Sequence, residues 1–330
     1  MFKQIECKNL FILSLLFISF FLVFLSIEKV SASSIDPAST ESIDNENLPI
    51  IKEKKSIQSE DSVYQDTGGL YTEEDFKNAI PVEQIENFPT DLTPSQEIQS
   101  KKKEYAPPTP PIESNISTKS VVPKTTGKLF FKKPSSSSTY VCSASVINSN
   151  ADNAVLTAGH CVHGNGSWYK DFVFVPAYYN GEHPYGSWIW ERVQAPAGWT
   201  QSKNYSYDKA VIRISPNNGN EIERYLGANG WITNIDPAQS NVRITGYPAD
   251  PPYTGELPHS CYGDTNKYSG TDAFMNCNFT GGSSGGAWFD QMSSEDLGII
   301  FAATSRGTSF IVPRLLATPL GDEFTNMLKN

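Results

Sequence analysis

From Lys128 onward the sequence breaks into short runs of β-favouring residues that are separated by turn residues. Eleven such runs fall within about 190 residues, and no strong helical periodicity lies between them. This spacing predicts an all-β fold, built as a sandwich or as a pair of barrels. The predicted strands are Leu129–Phe131, Tyr140–Ile147, Ala154–Leu156, Phe172–Val175, Trp188–Val193, Ala210–Ile214, Val242–Gly246, Phe274–Phe279, Ala287–Phe289, Ile299–Ala303 and Phe310–Val312.

The C-terminal end differs from the rest of the domain because it predicts a helix. Thr318-Pro319 has the form of a helix cap followed by a proline at the first helical position. The apolar residues that follow fall on one helix face. They are Leu320, Phe324, Met327 and Leu328.

The N-terminus has the pattern of a secretory signal. Lys3 and Lys8 give a positive start before the apolar run Leu10–Leu25, and Val30-Ser31-Ala32 resembles a signal-peptidase site of the A-x-A kind. The apolar run is short for a membrane span, so a retained anchor is the less favoured alternative. We predict that residues 1–32 are a signal peptide and that the mature protein is secreted to the extracellular space, without a membrane attachment.

The next segment, Ser33–Lys119, differs in charge from the rest of the mature chain. It carries 17 acidic and 8 basic side chains, whereas Ser120–Asn330 carries 17 acidic and 15 basic side chains and all six tryptophans. An acidic and poorly hydrophobic segment cannot bury a core of its own. We interpret residues 33–119 as a largely disordered pro-segment that is cut near Lys119 or Ser120, and residues 120–330 as the folded domain. A plain linker is the alternative.

The run Thr280–Gly286 predicts an activated serine on a tight turn. It places Ser284 in a Gly-x-Ser-Gly frame, which the neighbouring Ser283 lacks. Glycine at position 282 lets the backbone bend so that the N–H groups of Gly282 and Ser284 form an oxyanion hole. A flexible loop is the alternative for such a run, so the prediction depends on finding a base and a carboxylate elsewhere.

His160 is the predicted general base. It follows a predicted strand in Leu156–Cys161 and stands beside a cysteine that could hold its backbone in place. His160-x-x-His163 could also suggest a metal site, but no glutamate follows the first histidine as the zinc-protease pattern requires. His183 and His259 lie in predicted loops without recognisable partners. We predict that the chemistry needs no metal and no cofactor; the sequence leaves a structural calcium open.

Asp208 is the predicted carboxylate that orients this histidine. It stands just before the apolar strand Ala210–Ile214, a position that can hold a desolvated carboxylate. Such a group would bind the imidazole nitrogen remote from the serine and stabilise the imidazolium as it forms. Asp152 and Asp171 compete for the role, but they lie close to His160 in predicted surface turns.

The three motifs together resemble the trypsin/chymotrypsin clan of serine peptidases. The order His160, Asp208, Ser284 is the order of that clan, whereas other serine hydrolases use different orders. The glycine-rich frame around Ser284, together with an exported pro-form, is more similar to the bacterial glutamyl-endopeptidase-like branch. The resemblance covers residues 121–330 and implies two six-stranded antiparallel β-barrels with the site in the cleft between them.

The cysteines agree with export and with this resemblance. Loss of Cys7 with the signal leaves four cysteines, which the sequence alone could pair in three ways. The resemblance implies a disulfide between Cys142 and Cys161, and we favour Cys261–Cys277 as the second.

One departure from the family pattern bears on activation. Trypsin has an aspartate before the nucleophile, and this aspartate receives the freed N-terminal amine. This chain has Ser283 at that position, so we do not expect activation through that ion pair.

A second departure bears on specificity. The glutamyl branch holds the substrate carboxylate with a threonine and a histidine, where this chain has Phe279 and either Ile300 or Phe301. Without polar donors, burial of a glutamate carboxylate is costly. Asn278 takes the position where an aspartate would hold Lys or Arg. We predict an uncharged preference, in a pocket lined by Asn278, Phe279, Phe301 and Ala303.

The combined prediction is a secreted, monomeric serine endopeptidase that is made as a pro-enzyme. Its partners would be protein or peptide substrates and, before activation, its own pro-segment. The absence of a basic stripe argues against a nucleic-acid partner. The alternatives are a catalytically silent binding domain of the same fold and a metal-dependent hydrolase that uses His160 and His163.

Overall fold

The structure is a computed structural model, and it describes residues 49–51, 67, 69–82, 101–112, 122–308 and 312–329. The predicted signal peptide and the predicted cut near Lys119 or Ser120 lie outside the described residues. Within the described ranges, no helix is long and apolar enough to cross a membrane.

The described elements are mainly strands. The N-terminal part contributes β1 (Pro49–Ile51), α1 (Glu73–Lys77), β2 (Ile80–Pro81) and β3 (Tyr105–Ala106). The first half of the domain contains β4 (Thr126–Lys132), β5 (Thr139–Ile147), β6 (Ala154–Thr157), a 3₁₀ turn (Gly159–Cys161), β7 (His163–Gly164), β8 (Ser167–Trp168), β9 (Lys170–Pro176), β10 (Trp188–Pro196), α2 (Ala197–Thr200), a second 3₁₀ turn (Tyr205–Tyr207) and β11 (Ala210–Ile214). The second half contains α3 (Ile222–Leu226), β12 (Gly230–Ile232), β13 (Val242–Gly246), β14 (His259–Gly263), β15 (Asn266–Lys267), β16 (Ala273–Asn276), β17 (Ala287–Met292), β18 (Gly298–Thr308), β19 (Arg314–Pro319) and α4 (Asp322–Lys329).

Six antiparallel strands of the first half form a closed barrel. Their order is β10-β11-β6-β5-β4-β9, and pairing of β9 with β10 closes the circle. The barrel interior is filled by large side chains that are fully buried, such as Leu129, Phe174 and Ile212. This arrangement confirms the predicted all-β class and the first predicted barrel.

The second half forms a curled sheet in the order β14-β13-β17-β18-β19-β16-β15, with β12 added in parallel to β18. Among the described residues this path has no pair that closes it. Its concave side holds a separate core that includes Ile244, Trp288 and Phe301. The second barrel is therefore a half-barrel, which still provides the second wall of the predicted two-lobed fold.

The C-terminal helix begins later than the sequence predicted. Thr318 and Pro319 belong to β19, where Pro319 pairs with Ala302, and α4 starts at Asp322. The predicted start at Thr318-Pro319 was wrong because strand pairing continues through a proline that resembles a helix start. The predicted apolar face is confirmed: Leu320, Phe324, Met327 and Leu328 join a core cluster that also contains residues of both β-sheets.

Parts of the segment that we predicted to be largely disordered are ordered against the barrels. β1 pairs with β10, β2 pairs in parallel with β5, and β3 pairs with β12. Phe76 of α1 is buried and meets the ring of Phe130 at 4.7 Å. This contact explains why Leu129, Phe130 and Phe131 are all apolar: both faces of β4 are covered.

Candidate active site

His160 lies in the 3₁₀ turn that follows β6, and its side chain is fully buried. A disulfide between Cys142 and Cys161 ties this turn to β5. Gly159 leaves room for the carboxylate of Asp208, because a Cβ on this glycine would lie 3.1 Å from Asp208 Oδ1 and 2.8 Å from the Trp199 ring. The backbone of the histidine is therefore held from several sides.

Asp208 is fully buried and accepts three hydrogen bonds. Its Oδ1 accepts from the His160 backbone N–H at 2.8 Å, and its Oδ2 accepts from His160 Nδ1 at 2.9 Å and from Ser305 Oγ at 2.6 Å. Burial alone would raise the pKa of Asp208, but the charge of His160 and these hydrogen bonds outweigh burial and lower it. A carboxylate only accepts, so Nδ1 carries a proton and Nε2 is the basic nitrogen.

The residue after Asp208 anchors it to the C-terminal helix. Lys209 is buried and forms an ion pair with Glu323 of α4, and its Nζ also donates to Ser206 O at 2.9 Å. These contacts fix the turn in which Asp208 stands, just before β11.

Ser305 is a residue of the site that the sequence reasoning missed. Its hydroxyl lies between Asp208 and the guanidinium of Arg306, which donates to Ser305 Oγ at 3.2 Å. Arg306 is buried in an ion pair with Asp272 at 2.6 Å and lies over the ring of Tyr205. Burial raises the pKa of Asp272, against the opposing effect of Arg306. A serine after an apolar run has no distinctive sequence pattern, so Ser305 can be identified only from its position in the folded structure.

Ser284 lies at the end of the loop between β16 and β17 and is almost fully buried. Its Oγ donates to Ser305 O at 3.5 Å, so it lies beside the residue that also holds Asp208. The following residue packs against the segment that leads to His160: a Cβ on Gly285 would lie 2.9 Å from Ala158 N and would also strike Thr157 Oγ1. The structure thus joins His160 to Asp208 and places the loop that bears Ser284 beside the segment that leads to His160.

The two predicted oxyanion donors belong to peptide groups that are held by hydrogen bonds. Gly281 O accepts from Ala249 N at 2.7 Å, and Ser283 O accepts from Gly286 N at 2.9 Å. Because each peptide is planar and trans, these bonds also set the directions of the Gly282 and Ser284 N–H groups. Gly282 has φ +91°, a conformation that favours glycine.

Two of the four predicted pocket residues are in the wrong place. Phe301 and Ala303 are fully buried in core clusters and cannot line a pocket that opens to solvent. The reason is register: Ser305, and not the earlier part of β18, lies beside the Asp208 carboxylate.

The other two predicted pocket residues lie next to the second disulfide. Cys261 is bonded to Cys277, as we favoured. Asn278 is exposed and its Oδ1 accepts from Tyr253 Oη at 2.7 Å, while the Phe279 ring meets the ring of Tyr253 edge-on. Asn278 and Phe279 remain the candidate residues for the pocket floor.

The contacts around His160 and His163 do not favour a metal site at these two residues. In the described part of the chain, three potential ligand atoms lie within 4.8 Å of one another, from Cys142, His160 and Cys161. Both sulfurs are joined in the disulfide, so neither is available as a thiolate. The ring of His163 instead packs edge-on against Trp168.

The remaining two histidines pack as structural residues. His183 Nδ1 forms a hydrogen bond with Ser187 Oγ, and its ring packs edge-on against Phe76. The ring of His259 packs edge-on against Tyr253. Desolvation lowers the pKa of His183, and the nearby charge of Lys128 acts in the same direction.

A family model described as Trypsin matches residues 122–307, which is more than half of the chain. The chain belongs to the trypsin family. This finding confirms the resemblance to the trypsin clan that the order of the three motifs carried. The matched range begins where the described part of the domain begins and includes every residue of the candidate site.

Two solved proteases show similar folds over most of their length. A thermostable serine protease AL20 from an extremophilic microorganism is 30% identical, with a TM-score of 0.57 over 62% of this chain and 95% of that chain. Protease Anisep from Arthrobacter nicotinovorans is 33% identical, with a TM-score of 0.57 over 62% of this chain and 94% of that chain.

One curated relative is named a metalloprotease, whereas the matching family model is described as Trypsin. It is an extracellular metalloprotease of Bacillus subtilis (strain 168), 32% identical over 137 residues, which are 41% of this chain and 42% of that protein. The chain therefore spans less than half the length of this relative.

Proposed function

We propose that this trypsin-family protein is a secreted serine endopeptidase whose catalytic residues are His160, Asp208 and Ser284. The observation that carries the proposal is the short bond between a fully buried Asp208 and His160, beside the loop that bears Ser284. A buried carboxylate with a lowered pKa stays ionised and can stabilise an imidazolium that forms during reaction. A histidine that only fills space in a core does not need a buried, ionised carboxylate at its Nδ1.

The reaction follows from these positions. As Ser284 Oγ attacks the substrate carbonyl carbon, its proton passes to His160 Nε2, and the carbonyl oxygen becomes an oxyanion held by the Gly282 and Ser284 N–H groups. The imidazolium then gives that proton to the leaving amine, the C–N bond breaks, and an acyl ester on Ser284 remains. Water attacks the ester, His160 takes its proton and returns it to Ser284 Oγ, and the acid product leaves.

We propose that the enzyme prefers an uncharged residue on the acyl side of the cut. Arg306 is the cation next to Ser305, but its charge is already paired with Asp272, so it offers little to a substrate carboxylate. Asn278 and Phe279 offer no charge either. We expect a peptide-library digest to show cuts after uncharged residues. In Asn278→Asp, which keeps the side-chain size, we expect new cuts after Lys and Arg; a wild-type digest dominated by cuts after Glu or Arg would refute the preference.

We also propose that the chain is made as a secreted pro-enzyme. Two disulfides are typical of an oxidising compartment, and the name of the curated relative says that it is extracellular. The segment before the domain is a suitable intramolecular partner, since Tyr71, Phe76 and Val82 are buried against the first barrel. β2 also pairs with Tyr140 and Val141, next to the cysteine that anchors the His160 turn.

The test is to label the secreted protein with a fluorophosphonate and analyse it by intact and peptide mass spectrometry. We expect one adduct, on the peptide that contains Ser284, because only a serine next to a base reacts rapidly. The intact mass should correspond to a chain that starts near Ser120 and contains four oxidised cysteines. Chelators should leave the labelling unchanged.

Each readout has an outcome against the proposal. No adduct on the trimmed protein would favour a silent binding domain, and loss of activity with chelators but not with the phosphonate would favour a metal-dependent hydrolase. Active material that begins at Ser33 would contradict the pro-enzyme.

A further inference from the structure

The loop that supplies the oxyanion donors needs a fixed attachment, and the residue before the nucleophile does not provide one. Ser283 has no charge, and its Oγ donates to Thr280 O at 2.7 Å, within the same loop. The loop must therefore be held to the rest of the protein by other contacts.

Ser143 makes three hydrogen bonds at this place. Its side chain is fully buried on β5, next to the disulfide-bonded Cys142. Its hydroxyl donates to Gly282 O at 2.9 Å and accepts from Tyr247 N at 2.8 Å, while its backbone N–H donates to Ser284 O at 2.8 Å. One residue of the first barrel thus holds the loop on both sides of position 283.

The hydroxyl of Ser143 binds one of the two peptide groups that flank Gly282, and it also binds the segment that holds the other. It binds the carbonyl of the group after Gly282 directly. The peptide group before Gly282 contains the Gly282 N–H, which is the predicted oxyanion donor, and its carbonyl accepts from Ala249 N. Ala249 lies two residues after Tyr247, whose N–H donates to the Ser143 hydroxyl. The fit is close, because a Cβ on Gly282 would lie 2.6 Å from Tyr247 O. Loss of the hydroxyl would remove the bond to Gly282 O and the bond that holds Tyr247, two residues before Ala249.

We propose that Ser143 is a positioning residue for the oxyanion hole, and that its hydroxyl holds the loop that Ser283 cannot anchor by an ion pair. This inference rests on the proposed function, since it assumes that Gly282 and Ser284 stabilise an oxyanion. Ser143 touches no reacting atom; it acts through the direction of the Gly282 N–H.

The chain offers a matched control for this role. Ser145 lies two residues further along β5, is also fully buried, and its hydroxyl has no hydrogen-bond partner among the described residues. Ser143→Ala and Ser145→Ala therefore remove the same atom from the same strand, and only the first removes bonds to the loop. Ser143→Thr keeps a hydroxyl at the position.

The experiment compares the activated wild type with these variants. Since loss of a donor costs about 10²–10³-fold in rate, and misplacement by about 1 Å costs about 100-fold, we expect Ser143→Ala to lower kcat by about 10–100-fold. KM should change by less than about threefold. A peptide aldehyde, which forms an oxyanion on Ser284, should bind more weakly by a factor similar to the loss in kcat, whereas a non-covalent product peptide should bind as before. Ser145→Ala should stay within about twofold of wild type, and Ser143→Thr should retain most of the activity.

The possible outcomes separate this inference from the proposed function. If wild type is not labelled by the fluorophosphonate, the proposed function fails. If wild type is labelled but Ser143→Ala behaves like Ser145→Ala, or loses activity with unchanged aldehyde affinity, the inference fails alone. If Ser143→Ala does not fold, Ser143→Thr decides: a large loss of kcat in a folded variant that keeps the hydroxyl would overturn the role.

Discussion

Replacing Ser284 by alanine is expected to lower kcat for a peptide substrate by about 10⁴–10⁶-fold and to leave KM within about threefold. The alanine removes the nucleophile, so no acyl ester can form, and the rate that remains comes from the oxyanion donors and substrate binding. Ser284 contributes few contacts to the fold, since its Oγ makes one long hydrogen bond to Ser305 O at 3.5 Å. Single-turnover kinetics and thermal unfolding of the same preparation would check both statements.

The neighbouring serine is the matched control, because the sequence contains two candidates side by side. Ser283 is also buried, and its hydroxyl donates to Thr280 O within the loop. We expect Ser283→Ala to lower kcat by no more than about tenfold, through a small loss of loop rigidity. A result in which Ser283→Ala is inactive and Ser284→Ala retains activity would reverse the assignment of the nucleophile.

The parts of the fold that the sequence predicted best were strands that are buried on both faces. Ala210–Ile214 was predicted with the bounds that the structure has. Ile212 on one face joins the core of the first barrel, and Val211 on the other face joins the cluster that contains α4. The N-terminal strands were missed for a physical reason. β2 and β3 have two residues each, which is too short for any periodicity. β2 pairs with Tyr140 and Val141 of β5, before the pairing of β5 with β6 begins at Ser145, and β3 pairs with β12.

The residues of the candidate site also fall into those that the sequence could predict and one that it could not. His160, Asp208 and Ser284 each stand in a local pattern that is tied to their chemistry, and each could be selected without the fold. Ser305 could not, because its role depends on the register of β18. That strand is eleven residues long, against five predicted, and its pairing with β19 shifts between Thr304 and Arg306. The predicted pocket wall at Phe301 lies before that shift, in a part of β18 that the structure buries in the core.

Replacing Asp208 by asparagine is expected to lower kcat by about 10⁴-fold near pH 7, although it leaves Ser284 and His160 intact. The carboxylate accepts from the backbone N–H of His160 at 2.8 Å and from Nδ1 at 2.9 Å. An asparagine has one acceptor oxygen and one NH₂ group, which can only donate. If its oxygen keeps the backbone bond, its NH₂ faces Nδ1, which must then become the acceptor. The proton moves to Nε2, and the histidine can no longer take the proton of Ser284.

The pH dependence tests this explanation more directly than the rate at one pH. The wild-type rate should rise with pH as His160 becomes neutral, because only the neutral ring acts as a base. Asp208 is ionised across that range, since its pKa is lowered, so it contributes its negative charge throughout. In Asp208→Asn that charge is absent and the imidazolium is less stable, so the acid limb of the profile should move to lower pH. Hydroxide should also partly rescue the rate at high pH, because it can take the serine proton in place of the histidine.

Asp171→Asn is a suitable control, because Asp171 competes with Asp208 in the sequence and asparagine tolerates its φ of +58°. Its carboxylate is partly exposed and lies 3.8 Å from Lys170, a surface pair of small energetic value. We expect its rate and pH profile to match wild type. If Asp208→Asn instead lost activity with an unshifted acid limb and a much lower melting temperature, Asp208 would be a structural residue, and the basicity of His160 would need another source. If Asp208→Asn retained both the rate and the pH profile of the wild type, the carboxylate would have no part in catalysis.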